Sequence, residues 1–244
     1  MENLDLGVLE HELRACGEDA HIDPASVVVF VVDAVRPPGT TPLAYLQPAA
    51  MVRSDTVVVI RLVGSARLDP FGLRAHRFGI WRALPGIPEV ALGPMLRHEL
   101  EHARRFERSG PSFFEADERL RDAVSRAGGD GYARLPSERE ANASASIYAA
   151  KTLSATGRRA VADCDACAGL LTPEPPPGDV VEETLVELAR LARRGELRGD
   201  GSFGVRDLDA VRRDCAAWEA AEPCDLIAGR SGPRIELVTP VSAW

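Results

Sequence analysis

Apolar positions along the chain change their period several times, and each change marks an expected element. Residues 3–16 carry Leu4, Leu6, Val8, Leu9 and Leu13 at helical spacing, which predicts an amphipathic helix. Asp23-Pro24 interrupts it, and Val27 to Val32 is a β-branched run of the kind that forms a buried strand. Residues 37–48, bounded by prolines, read as loop, and Met51 to Val63 as a second strand able to pair with the first. Leu92, Met95, Leu96, Leu100, Ala103 and Phe106 then recur at spacings of three and four, predicting a helix with Pro94 in its first turn.

Gly110-Pro111-Ser112 should end that helix, and Phe114 to Arg126 should form another, closed by Gly128-Gly129. A further helix opens at Pro136, and helical pattern continues from Lys151 to Leu171. Thr172 to Gly178 is the clearest linker. Val180 to Arg194 and Val205 to Ala221 read as amphipathic helices, and Arg234 to Val238 as a last strand. The expected organisation is a domain over 1–171, a Pro-rich linker over 172–178 and a helical extension over 179–244.

The segment Leu73 to Trp81 supports two readings. It is either an edge strand along which an extended peptide can lie, or a packed connection anchored by Phe78 and Trp81.

Candidate chemistry lies on the helix containing Pro94. His98-Glu99-Leu100-Glu101-His102 is HExxH, and on a helix imidazoles four residues apart project side by side. Both His, with Glu99, fall at one edge of the apolar face rather than among Arg97, Glu101, Arg104 and Arg105. Two neutral imidazoles can hold one Zn²⁺ while Glu99 remains free as general base toward a water that the ion acidifies. A catalytic zinc needs a third protein ligand. The other histidines are His11, His21 and His76, and Arg105 and Arg108 occupy the positions at which an extended HExxHxxGxxH motif would carry Gly and His. A carboxylate is therefore expected, from Glu140 or Glu138 in the first turn of the next helix. Ser137 with Glu140 also fits a capping box, which needs no metal.

His98-Glu99-Leu100-Glu101-His102 followed by Glu138-Arg139-Glu140-Ala141-Asn142 resembles the gluzincin metallopeptidases, most of all the ImmA/IrrE-like branch with its HExxH and ExEAN-type motifs. The resemblance covers about residues 50–155. It implies an α+β zincin-like fold, with a small N-terminal sheet packed on the HExxH helix and a mostly helical C-terminal part. It also implies Zn²⁺ held by His98, His102 and Glu140, Glu99 as base, and a peptide or protein substrate. No histidine follows Glu140, so the transition-state donor is open: Tyr148, two turns along from Glu140, is the first choice, with Tyr132 and His76 behind it.

Composition narrows the partners. A net charge of −8 over 244 residues argues against nucleic acid or an anionic membrane as the main partner. No apolar run of membrane-spanning length occurs, and the acidic N-terminus lacks the pattern of a signal peptide, so a cytoplasmic location is expected. Cys164-Asp165-Ala166-Cys167 is a CxxC, and Cys215 and Cys224 form a second pair, but neither pair has knuckle glycines. Free, partly buried thiols are the expectation, with a four-thiolate zinc site as the alternative.

Overall fold

The computed structural model describes residues 1–35, 44–46, 51–54, 57–60, 76–127, 131, 134–171, 178–197, 205–220 and 233–238. The valine run forms strand β1 (Val27–Val35), and Val27, Val29, Val31 and Val32 are buried. A run this uniformly apolar suits a strand whose two edges are both occupied by parallel neighbours. Two more strands fill those edges: β5 (His76–Ala83) on one side and β6 (Arg234–Val238) on the other. The short β2 (Ala44–Leu46) adds antiparallel to β5, so the sheet order is β2-β5-β1-β6. The segment expected as one strand from Met51 is instead a hairpin, β3 (Met51–Ser54) and β4 (Val57–Ile60), in a sheet of its own and unpaired with β1. Both readings of Leu73 to Trp81 need revision, because β5 is a true strand and lies inside the sheet between β1 and β2.

Six α-helices are described: α1 (Leu6–Ala20), α2 (Leu92–Ala127), α3 (Pro136–Thr152), α4 (Ala155–Ala162), α5 (Val180–Arg193) and α6 (Val205–Ala220). Helix α1 starts on Asp5, whose carboxylate accepts from the Gly7 and Val8 N–H groups at 2.8 and 3.1 Å, and closes on His21 in the left-handed region at φ 57°. The chain is thus mostly helical with a small, largely N-terminal sheet, in agreement with the α+β class.

Helix α2 is bent where the sequence predicted a stop. Gly110 sits at φ 76° and ψ −176°, so two helical halves meet there. The Trp218 ring lies against this kink; a Cβ on Gly110 would come within 2.6 Å of it. Trp218 Nε1 donates to the Glu107 carbonyl at 2.8 Å, one of the carbonyls freed where the first half ends.

The two halves of α2 serve two cores. Leu92, Leu96, Leu100 and Ala103 pack with Leu9 and Leu13 of α1 and with the β1 valines. Phe113 and Leu120 pack with Leu185 and Leu188 of α5 and Leu208 and Val211 of α6. The expected C-terminal extension over 179–244 is therefore not self-contained: its helices complete a core begun by α2, and β6 completes the sheet begun by β1. Of the linker over 172–178, residues 172–177 lie outside the described residues.

Candidate metal centre

Leu96, Leu100 and Ala103 turn one face of α2 into the first core, which leaves His98 and His102 on the adjoining edge facing α3. Helix α3 begins at Pro136, a residue preorganised for a first helical position, and its cap residue Leu135 makes no side-chain cap bond. The expected Ser137–Glu140 capping box does not form. Ser137 Oγ instead accepts from Arg121 Nη2 at 3.4 Å. Glu138 occupies the first turn, where unpaired N–H groups and the helix dipole favour a carboxylate.

Glu138 meets both histidines. Its Oε2 lies 3.2 Å from His98 Nε2, its Oε1 lies 3.4 Å from His102 Nε2, and the two Nε2 atoms are 3.3 Å apart. The two imidazole nitrogens and the Glu138 carboxylate thus converge, each residue offering a ligand atom within 4.8 Å of the others. Ligands about 2.0–2.1 Å from a tetrahedral ion stand about 3.3–3.4 Å from one another; the Nε2···Nε2 edge has that spacing, and each Glu138 oxygen has it to one of the two imidazoles. The donor chemistry, two imidazoles and one carboxylate, is also what zinc takes when a fourth position is left to water. His98 Nδ1 is buried and has no hydrogen-bond partner among the described residues.

The charges of His98, His102 and Glu138 act on one another. Burial opposes protonation of His98, but the hydrogen bond to Glu138 and the charges of Glu138 and Glu99 outweigh it and raise the pKa above 6.5. Burial alone would raise the Glu138 pKa as well. The neighbouring Arg121 charge and the two histidines reverse this and hold the carboxyl well below 4.5. Glu99 is buried beside His98, within electrostatic reach of it.

Glu140, the expected third ligand, is elsewhere. Its Oε2 accepts from Arg105 Nε at 2.8 Å, Oε1 pairs with Arg105 Nη2, and Arg104 Nη2 lies 3.3 Å from Oε1. Residues two apart on a helix point about 200° from each other, so Glu138 and Glu140 cannot both reach one ion from α3. The charge that Glu140 neutralises belongs to a chain of buried and half-buried ion pairs running along α2. Glu101, almost fully buried, accepts from Arg97 Nη1 at 2.9 Å and from Arg104 Nε at 2.7 Å, and Arg97 Nε donates to Asp19 of α1 at 2.8 Å. This ladder joins α1, α2 and α3, and with the apolar face it sets which edge of α2 faces Glu138.

Tyr148 is not at the centre. It lies ten residues beyond Glu138 on α3, about 15 Å along the axis at helical rise. Its hydroxyl donates to Glu12 of α1 at 3.4 Å, and its ring packs over Gly93. Burial, with Cys16 and Glu12 nearby, pushes its pKa up, so it is a core tyrosine with a polar handle. His76 stands at the start of β5, while Tyr132 lies outside the described residues.

The cysteine pairs do not assemble among the described residues. Cys164 Sγ is 2.8 Å from Cys167 Sγ at the edge of the first core, whereas Cys215 is buried in the second; Cys224 lies outside the described residues. None of the four described cysteines is in a disulfide, and burial pushes the thiols of Cys16 and Cys215 up to about 12 and about 11.

Two further residues stand at the centre: Arg121, which the sequence did not single out, and Asp117, one of the acids between Glu115 and Glu118 that could have replaced Glu140 as a ligand. Arg121 Nη2 lies 3.0 Å from Glu138 Oε1, and Arg121 Nε donates to Asp117 Oδ2 at 2.7 Å. The only signal of their pairing in the sequence is an acid four residues before an arginine, a spacing common on solvated helix faces. Among the described residues no helix is long and apolar enough to cross a membrane. Comparison with protein-family models, curated proteins and solved structures returned no match for this chain.

Proposed function

We propose that this chain is a zinc-dependent hydrolase that cleaves an amide bond, a metallopeptidase of zincin-like arrangement acting on a peptide or protein. The observation that carries the reading is the convergence of His98 Nε2, His102 Nε2 and the Glu138 carboxylate, whose two oxygens lie 3.2 and 3.4 Å from one imidazole each, beside the HExxH glutamate. A zinc ion held there supplies a Lewis acid for the carbonyl and lowers the pKa of water to about 7.

The protein's own residues divide the remaining work. His98, His102 and Glu138 hold the ion. Glu99 is the general base: it takes the proton of the attacking water and later delivers one to the leaving amine. Arg97, Glu101, Arg104 and Glu140 keep α2 and α3 in register so that the ligands stay together, and burial of the site strengthens the charge interactions within it. Recognition of a peptide follows from the gluzincin resemblance and from the amide chemistry that such a site performs.

The test is metal analysis followed by turnover of a mixed peptide pool. The wild-type protein should carry about one zinc per chain and cleave peptides, and a chelator should abolish cleavage. Glu99→Gln should retain zinc and lose cleavage about 10²–10⁴-fold, since it removes proton transfer and leaves coordination intact. A protein without zinc defeats the proposal. One that binds zinc but cleaves no peptide is instead a metal-binding regulator or an enzyme for another amide.

A further inference from the structure

A carboxylate that serves as metal ligand must present its oxygen at a defined angle, yet the terminal torsion of a glutamate is broad and two-fold, so the side chain does not set that angle by itself. Glu138 also has two oxygens facing two different imidazoles. Something outside these three residues has to hold the carboxylate plane.

We propose that Arg121, anchored by Asp117, is the positioning residue that orients Glu138 for metal ligation; this inference rests on the zinc reading above. The Arg121 guanidinium touches Glu138 Oε1 at 3.0 Å and Ser137 Oγ at 3.4 Å on α3, while its Nε is bound at 2.7 Å to Asp117 Oδ2, one turn earlier on α2. Asp117 is itself buried. A rigid planar fork can serve the two carboxylates with different edges, which a lysine ammonium on a flexible stem cannot.

The pairing also resolves an apparent conflict of charge. A cation beside a zinc site should repel the ion, but the Asp117–Arg121 pair is neutral as a unit, so it orients Glu138 at little electrostatic cost to the metal. Nη2 additionally lies 3.4 Å from His102 Nδ1. Guanidinium only donates, so this contact belongs to the tautomer with Nε2 protonated, and ligation through Nε2 releases it while the Glu138 and Asp117 contacts remain.

The experiment measures zinc affinity of the full chain by competition with a chromophoric chelator, with thermal melting in excess chelator as the check on folding. Arg121→Gln should bind zinc 10–100-fold more weakly, the usual effect of losing a partner behind a ligand. Arg121→Lys should recover part of the loss, and Asp117→Asn should weaken binding in the same direction. Cobalt in place of zinc should give an altered visible spectrum in Arg121→Gln, since ligand geometry sets that spectrum. Should Arg121→Gln fail to fold, Arg121→Lys and Asp117→Asn carry the comparison. Unchanged or tighter zinc binding in folded variants overturns the role of Arg121 and leaves the metal site standing. A wild-type chain that binds no zinc overturns the zinc reading and, with it, this one.

Discussion

Arg105 holds both carboxylate oxygens of Glu140, and that pairing turns Glu140 away from the histidines it was expected to join. Its neighbour Glu138, one position before Arg139, takes the place beside His98 and His102. In Glu138-Arg139-Glu140-Ala141-Asn142 it is thus the first glutamate that stands beside the two histidines, two residues before the one expected there.

The two glutamates should separate cleanly in experiment. Glu138→Gln should lose most zinc affinity in a chelator competition. Glu140→Gln should keep it, yet lower folding stability by roughly 1.5 kcal/mol in urea denaturation, because it leaves the half-buried Arg105 charge without its partner carboxylate. Zinc loss in Glu140→Gln with zinc retained in Glu138→Gln would reverse the assignment.

The pH dependence of the metal-free protein follows from the raised pKa of His98. A group whose pKa is higher in the folded state contributes stability that is fully present below the unfolded value of 6.5 and is lost as pH rises through the folded value. The melting temperature in excess chelator should therefore fall as pH climbs past 6.5. Glu138 acts at the other end: its depressed pKa contributes stability present above 4.5, lost as pH falls through the folded value. Zinc affinity should rise with pH near neutrality, because the imidazoles must be neutral to ligate. A chelated protein whose melting temperature rises from pH 6.5 to 8 would contradict the His98 environment described here.

Gly110 gives a test of the kink. Alanine there would have to adopt φ 76° and place a methyl group against the Trp218 ring. Gly110→Ala should cost more than about 1 kcal/mol, measured by thermal or urea unfolding. A neutral effect would mean that the two halves of α2 meet in another way.

Much of this molecule was legible in the order of its residues. Helices appear in one chain as runs of period near 3.6, and α1, α2, α3, α5 and α6 fall close to where that period placed them. The valine run named β1, the Arg234–Val238 strand was read at its full extent, and Gly110 marked the bend in α2. His98, Glu99 and His102 needed only helical geometry to be seen together, since four residues make about one turn.

What the residue order left open was every choice that depends on which surfaces meet. β-Branched runs do not say which strands will pair, so only the packed chain put β5 and β6 on either side of β1 and sent Met51 onward into a separate hairpin. The carboxylate choice was of the same kind. Glu138 and Glu140 are chemically identical and two residues apart, and the decision lay with Arg104, Arg105 and Arg121, more than a dozen residues away in the chain, whose positions on α2 relative to α3 come from core packing and the buried ion pairs. Local pattern determines which side chains share a helix face; tertiary packing decides which charge that face will find.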